Sequence, residues 1–405
     1  VLTPRPYQTE GRDFLASRRH ALLADEMRVG KSCQAIMAAD KLQLENVLVV
    51  CPAIAVPHWH REFTRWSEDR IGPFVMSYDR LRRDWDFISK RQTFDLAIVD
   101  ECHFAVNPEA QRTQIIYGKN GLGWISDRMW VLSGTPAKKH AAELWPMLRA
   151  FGVVKMTYEE FVNHYCVINR FTERITGTKP DKIPEVRALL AQVMLRRTRK
   201  EVAPEMPGID FQFLEVEPDI KADIQLPPGL SEAELADWLD ANPSVDREDR
   251  IAVAQAKVLP LAKQIDFAIQ NELLKQTVVF GWHTEPLEHQ ARLLNECGIR
   301  TELLTGKTTP RQREVIQNNF RNGLTKVVVG NILAAGTAID LSSASHGFFL
   351  ELDWLSVNNV QAANRLVSLE KKEPVTYDVV TWPGSADDKV QRVLMRRVRE
   401  LSQLY

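Results

Sequence analysis

Two short stretches carry residues suited to phosphate chemistry. The first is Ala24-Asp25-Glu26-Met27-Arg28-Val29-Gly30-Lys31-Ser32, which follows a short apolar run and precedes a helix-patterned one. At such a junction the backbone N–H groups and the helix N-terminus wrap phosphate oxygens. The lysine reaches the β- and γ-phosphates, and the serine hydroxyl binds Mg²⁺. Asp25 stands where the general phosphate-loop pattern has its first glycine, so alone the stretch also reads as a chance Gly-Lys-Ser at a helix start. The second is Asp95-Leu96-Ala97-Ile98-Val99-Asp100-Glu101-Cys102-His103. An aspartate at the carboxyl end of a buried strand holds Mg²⁺, and the glutamate beside it polarises an attacking water. Such a pair could instead form a turn or a helix cap. The phosphate loop upstream, one strand away, weighs against that, and together the two stretches predict nucleotide hydrolysis.

The elements that must position these groups are legible as apolar runs. In the first half they are residues 21–24, 47–51, 96–99 and 130–132; in the second, 277–281, 301–304, 327–330, 347–352 and 376–380. They are rich in Val, Ile, Leu and Phe without two-residue alternation, as expected of strands buried on both faces of a parallel sheet. Helix-like stretches such as 32–44 and 312–321 lie between them, which argues for doubly wound α/β domains. Residues 158–199 read as helical. Residues 215–250 hold eleven acidic side chains against Lys221, Arg247 and Arg250, with a Pro227-Pro228-Gly229 breaker. Ser231 with Glu234 has capping-box spacing, so a short helix is expected there inside a solvated acidic connector. The expected organisation is a first lobe over 1–205, a connector over 206–262 and a second lobe over 263–405.

Composition narrows the class. The 405 residues are 44% hydrophobic and 26% charged, which excludes a disordered or collagen-like chain. Lys plus Arg number 52 against 53 Asp plus Glu, so a polyanion would have to be held by a local basic surface. The five cysteines are scattered with no CxxC pair, which fits a reducing, intracellular compartment and no zinc ribbon. No apolar run approaches the roughly 18 residues of a membrane span, and no signal peptide is visible.

The ordered motifs resemble one family. Asp100-Glu101-Cys102-His103 resembles the DEAH-type box of superfamily 2 helicases, and residues 25–32 resemble the phosphate loop of the Swi/Snf branch. Arg5-Pro6-Tyr7-Gln8 resembles that branch's adenine-recognition element. Cys51-Pro52 with Trp59, Ser133-Gly134-Thr135-Pro136 and Leu195-Arg196-Arg197-Thr198 resemble its further first-lobe landmarks. Leu304-Thr305-Gly306, Ala335-Gly336-Thr337-Ala338-Ile339-Asp340-Leu341 and Gln361-Ala362-x-x-Arg365 resemble its second-lobe pattern. Gly134-Thr135-Pro136-Ala137 and the short linker resemble the compact HARP-like annealing-helicase type. The resemblance implies two tandem RecA-like parallel-sheet lobes with a helical insertion between them, and an ATP-driven translocase on double-stranded DNA.

It also implies roles for single residues. Lys31, Glu101, Gln361 and Arg365 would be catalytic. Arg5, Gln8, Gly30, Ser32, Gly336 and Asp340 would bind ATP, with Ser32 and Asp100 on Mg²⁺. Ser133 and Thr135 would couple hydrolysis to movement, and Pro52, Lys138, Lys139, Lys307 and Thr337 would touch DNA. A sequence-independent DNA partner and a monomer are expected. Arg28 replaces a usual glycine, and Ser368 stands where a second arginine is usual, with Lys371 and Lys372 close by. These two departures motivate an alternative reading, a DNA-binding scaffold with a weakened ATPase, and superfamily 2 architecture alone would also allow an RNA or single-strand unwinding helicase. Further basic groups are Arg80, Arg82 and Arg83, residues 196–200, and Arg392, Arg396, Arg397 and Arg399. The last run is expected to be the solvated face of an amphipathic helix.

Overall fold

A computed structural model describes residues 3–67, 71–168, 174–218, 224, 226–230, 234–235, 238, 247–335 and 339–404, with side chains described up to 396 and at 398. The chain divides into two compact units, Val1–Ala203 and Pro204–Tyr405.

In the first unit the strands are β1 (His20–Leu23), β2 (Asn46–Cys51), β3 (Gly72–Ser77), β4 (Phe94–Asp100), β5 (Ser126–Leu132), β6 (Cys166–Ile168), β7 (Ile175–Thr178) and β8 (Met194–Leu195). Six of them form one sheet in the order β3-β2-β4-β5-β1-β8, every pair parallel. Nearly every residue of β2 and β4 is buried, which is why their runs lack alternation. Four helices matter most here: α1 (Pro6–Ala16), α2 (Lys31–Lys41), α3 (Val56–Trp66) and α4 (Tyr78–Arg91). Pro6 opens α1, where its missing N–H costs nothing. Gly11 lets α1 lie directly on α2, because a Cβ there would overlap the Gln34 side chain.

The second unit carries β9 (Ile209–Glu215), β10 (Thr277–Gly281), β11 (Thr301–Leu304), β12 (Val327–Asn331), β13 (His346–Phe349) and β14 (Val375–Thr381). Their order is β11-β12-β10-β13-β14-β9, again all parallel. Val279, Val329, Leu350 and Val380 meet Leu261, Leu287 and Leu294 from the covering helices Arg247–Gln270 and Thr284–Glu296 in one core. Beside it Lys257, fully buried, donates to Asp387 Oδ2 (2.9 Å) and to the Val380 carbonyl (3.0 Å). This pair joins the helix Arg247–Gln270 to the C-terminal helix Ala386–Leu404. Among the described residues no helix is long and apolar enough to cross a membrane.

Two features depart from the sequence reading. Residues 158–199 contain, besides helices, the antiparallel ribbon β6–β7 and the short strand β8. The expected connector over 206–262 holds β9, which pairs with β14 along seven residues, and the start of the helix Arg247–Gln270; both belong to the second unit. The expected cap at Ser231 lies outside the described residues.

Candidate nucleotide-binding and coupling site

In the first sheet β5 lies between β1 and β4, and Leu132 of β5 pairs with both Leu23 and Asp100. The carboxyl ends of three strands therefore stop at one level. The loops that follow them, residues 24–30, 101–105 and 133–140, share one edge of the sheet. Ligands of open parallel sheets bind outside that edge.

The loop after β1 turns into α2 at Gly30, whose φ of 81° is left-handed. A side chain there would be strained, and its Cβ would sit 2.7 Å from Gln8 Nε2. Arg28, two residues earlier, also has positive φ (70°). The loop is held from outside by α1: the Tyr7 hydroxyl and Gln8 Nε2 both donate to the Val29 carbonyl (3.1 and 3.3 Å). Gln8 Oε1 in turn accepts from the backbone N–H of Arg5 (2.9 Å). Lys31 Nζ donates to the Asp25 and Glu26 carbonyls (2.9 and 3.1 Å) and so folds back over its own loop. Burial holds this lysine below its ordinary value, against the pull of Glu101, Asp25 and Asp100. Ser32 is half-buried in the first turn of α2.

Asp100 ends β4. Its Oδ2 accepts from Trp59 Nε1 (2.8 Å) and its Oδ1 from the Glu101 N–H (3.0 Å). Burial first, and then the Glu101 charge, push its carboxyl up to about 7. Glu101 takes a left-handed backbone (φ 53°), pinned by the Tyr78 hydroxyl, which donates to the Asp100 carbonyl at 2.7 Å and to the Glu101 carbonyl at 3.2 Å. Glu101 Oε2 lies 3.2 Å from His103 Nδ1, and that nitrogen is 3.4 Å from Ser133 Oγ. Ser133 Oγ also accepts from the Thr135 N–H (3.1 Å), so the carboxylate pair and the loop after β5 are wired together. The backbone N–H groups of Lys138 and Lys139 close on Glu143 Oε2, leaving the Lys139 side chain exposed at the bend. Pro52 follows β2 and starts the short turn Ala53–Ala55.

Three arginines of the run 196–200, read as possible DNA contacts, are engaged elsewhere. Arg197 forks onto Asp25 (Nε to Oδ1 3.1 Å, Nη2 to Oδ2 2.6 Å) and also reaches the Tyr7 carbonyl and Gln34. Arg196 donates to the Ala24 and Gly134 carbonyls, both at 3.4 Å, and Arg199 pairs with Glu26 at 3.6 Å. The element after β8 is thus a strap over the phosphate loop. Sequence reasoning placed that element but missed its targets; the one available signal was Asp25 itself, an aspartate that must find a cation if buried. Arg80, Arg83 and Arg392 all carry acidic partners.

In the second unit Gln361 is buried in the helix Ser356–Ala363, and Arg365 lies in the turn that ends it. Asp353 fixes this helix by exchanging hydrogen bonds with Asn359 (2.8 and 2.7 Å). The Arg365 carbonyl accepts from the Leu341 N–H (3.1 Å). Asp340 Oδ1 accepts from the Ser342 N–H (3.2 Å), and its Oδ2 lies 3.6 Å from Arg321. Gly336 and Thr337 lie outside the described residues. Lys307 is exposed in the turn after β11. Buried Arg313 holds that turn by donating to the carbonyls of Thr305 (3.0 Å), Thr308 (3.1 Å) and Ala334 (2.6 Å). Lys371 Nζ donates to the Ser342 carbonyl (2.8 Å) and to that of Ala344, and burial lowers its value to about 8.

A glycine turn opening α2, a carboxylate pair at the end of β4 and a second parallel sheet in tandem define the class: a helicase-type ATPase core. Comparison with known proteins makes this specific. The SNF2-related domain matches residues 7–77 and 74–221, and the helicase conserved C-terminal domain matches 258–369. The chain belongs to the SNF2-related family. It is 26% identical over 424 residues to the Xenopus tropicalis SWI/SNF-related matrix-associated actin-dependent regulator of chromatin subfamily A-like protein 1, covering 98% of this chain and 44% of that protein. It is 25% identical over 433 residues to the Bos taurus DNA annealing helicase and endonuclease ZRANB3, covering 97% of this chain and 40% of that protein. The chain thus spans less than half the length of these relatives. The Pyrococcus furiosus Hef helicase domain shares the fold at a TM-score of 0.50 and 14% identity, over 96% of this chain and 97% of that one.

Proposed function

We propose that this chain is a motor that hydrolyses ATP and moves along double-stranded DNA without sequence preference. The observation that carries the reading is the cluster of Lys31, Asp100 and Glu101 beside the left-handed turn at Gly30. Backbone N–H groups at the start of α2 and the Lys31 ammonium bind the phosphates. Gln8, with Arg5, reads the adenine next to the loop that its amide already holds. Glu101 orients and deprotonates the attacking water. Gln361 and Arg365 are the second unit's residues for γ-phosphate chemistry, and Asp340 and Gly336 its residues for nucleotide binding.

Mg²⁺ fits the donors present. Ser32 and Asp100 offer hard oxygens, and burial beside Glu101 makes an ionised Asp100 costly even with Lys31 near, a cost that a bound cation would lift. When bound, the ion would neutralise charge developing between the β- and γ-phosphates. The wiring from Glu101 through His103 to Ser133 and Thr135 gives hydrolysis a route to the loop that presents Lys138 and Lys139. Those lysines, with Lys307, Pro52 and Thr337, contact the DNA backbone, so binding is salt-sensitive. The relatives named as annealing helicases favour remodelling or reannealing of DNA as the output.

A second reading, a DNA-binding scaffold with a weakened ATPase, is favoured by one observation. Lys371, close in sequence to Ser368, has its ammonium on two carbonyls, which argues against its standing in for a second arginine. Steady-state ATP hydrolysis with no nucleic acid, blunt duplex DNA, single-stranded DNA and RNA separates these readings. Strong stimulation by duplex supports the motor. Stimulation only by RNA or single strands points to an unwinding helicase. No stimulation in the wild type, with rescue by Ser368→Arg, supports the scaffold.

A further inference from the structure

Arg365 sits in a short turn, Asn364–Leu366, and the chain beyond that turn must be held if the guanidinium is to keep one direction. Two anchors are apolar: Leu366 and Val367 are fully buried. The polar anchors converge on the turn over residues 340–345. There the Leu341 N–H donates to the Arg365 carbonyl (3.1 Å), and the Ala344 N–H closes the turn on the Leu341 carbonyl (3.1 Å). Lys371 then bridges the two segments. Its Nζ donates to the Ser342 carbonyl (2.8 Å) and to that of Ala344, while its own backbone N–H donates to the Ser368 carbonyl (3.3 Å).

The turn is fixed from its other side. The Asp340 N–H donates to Gln317 Oε1 (2.9 Å), from the helix Pro310–Arg321, and Asp340 Oδ1 accepts from the Ser342 N–H (3.2 Å). The segment 365–371 is thus tied to a fixed turn at both ends, by a carbonyl at 365 and by an ammonium at 371. Holding an ammonium half-buried on neutral carbonyls costs stability. What it gives in return is a set distance between Arg365 and the turn.

We propose that Lys371 is a positioning residue for Arg365: its ammonium fastens the segment 365–371 to the turn 341–344 and so aims the guanidinium for γ-phosphate chemistry. This rests on the role given to Arg365 above, and adds to it the group that keeps a single arginine effective where Ser368 offers no second. Burial holds the Lys371 value at about 8, against the pull of Glu373 and Asp340. Of these two facing acids, Glu373 accepts from Ser345 Oγ (2.7 Å) and Asp340 lies 3.6 Å from Arg321. The ammonium is present below that pH and lost above it, so turnover falls as pH rises through about 8.

The test is steady-state hydrolysis of Mg-ATP by the full chain with blunt duplex DNA, read as kcat and KM from pH 6.5 to 9.5. Lys371→Met, of similar length but uncharged, should lower kcat at pH 7 by about tenfold to a hundredfold with KM unchanged, the scale of a catalytic group displaced by up to about 1 Å. Lys371→Arg stays charged at every pH, so it should recover most of that loss and carry the plateau past pH 9. Adding Lys371→Met to Arg365→Ala should cost nothing further, because no guanidinium is left to aim. The melting temperature checks that each variant folds. Losses that multiply in the double variant, or a fall near pH 8 that persists in Lys371→Arg, overturn the proposal. Full turnover in Arg365→Ala overturns instead the role of Arg365 on which it rests.

Discussion

Arg197 and Asp25, 172 residues apart in sequence, are joined by a two-pronged pair in which the aspartate is fully buried. The strap after β8 therefore closes the first unit by neutralising a charge inside its phosphate loop. Breaking a buried pair from one side costs about 3–5 kcal/mol, because the orphaned charge stays inside. Arg197→Met should lose roughly that much in denaturant unfolding. Arg197→Lys should recover little, since an ammonium cannot reproduce the fork. A loss under 1 kcal/mol for Arg197→Met would show that the loop needs no strap.

The carboxylate pair predicts a pH dependence. Asp100 titrates at about 7 in the folded chain and near the ordinary aspartate value of about 3.9 when unfolded. Between these values the folded state holds the extra proton, so this group's contribution to stability falls as pH rises across that window. Unfolding followed from pH 4 to 8 without metal or nucleotide should show that slope in the wild type and lose it in Asp100→Asn. Mg-ATP, by favouring the ionised form, should release the proton. Its affinity should then weaken by up to about tenfold per unit as pH falls below 7. An unchanged slope in Asp100→Asn would assign the titration elsewhere.

Lys31 and Glu101 should separate binding from chemistry. Lys31→Ala should reduce turnover by at least about a hundredfold, the scale of losing one charge-stabilising donor. Glu101→Gln should keep ATP affinity while turnover falls as far. Stopped-flow binding of a fluorescent ATP analogue beside steady-state hydrolysis distinguishes the two. Undiminished turnover in either variant removes its assigned role.

Lys257 and Asp387 offer a test far from the nucleotide. Lys257→Met should destabilise the chain by about 3–5 kcal/mol, and Lys257→Met with Asp387→Leu should recover most of it. Failure of the double variant to recover would mean that Lys257 matters through its bond to the Val380 carbonyl.

What the sequence made legible follows burial. All nine predicted apolar runs fall on strands of the two sheets, because a strand covered on both faces is continuously apolar. Of the edge strands, β11 was legible and β3, β8 and β9 escaped. β3 includes Gly72 and Pro73 and is buried only at Val75 and Met76, while β9, exposed or half-exposed along its length, sits in a stretch whose acidity suggested a connector. The ribbon β6–β7 was hidden for the same reason. Trp59, legible as part of a first-lobe landmark, is fully buried, but its bond to Asp100 joins residues 41 apart and has no local signature. The phosphate loop and the carboxylate pair were visible as motifs. The contacts that support them, from Tyr78 to the carboxylate pair and from Arg197 to Asp25, were not, since a side chain's partner across the sheet leaves no trace in the spacing of its neighbours.

The second sheet has a consequence for how the chain is made. β9 leads the second unit, yet among the described residues its strand partner is β14, the last strand to emerge, and Lys257 waits 130 residues for Asp387. At ribosomal speeds that interval is on the order of ten seconds. Throughout it the nascent chain carries an uncovered strand edge and a lysine without its counterion, while the first unit, closed by β8, is already complete. The second half of this protein is therefore the half whose pairing is completed last during synthesis, and substitutions that weaken β9 or β14 should show first as lost yield of folded chain.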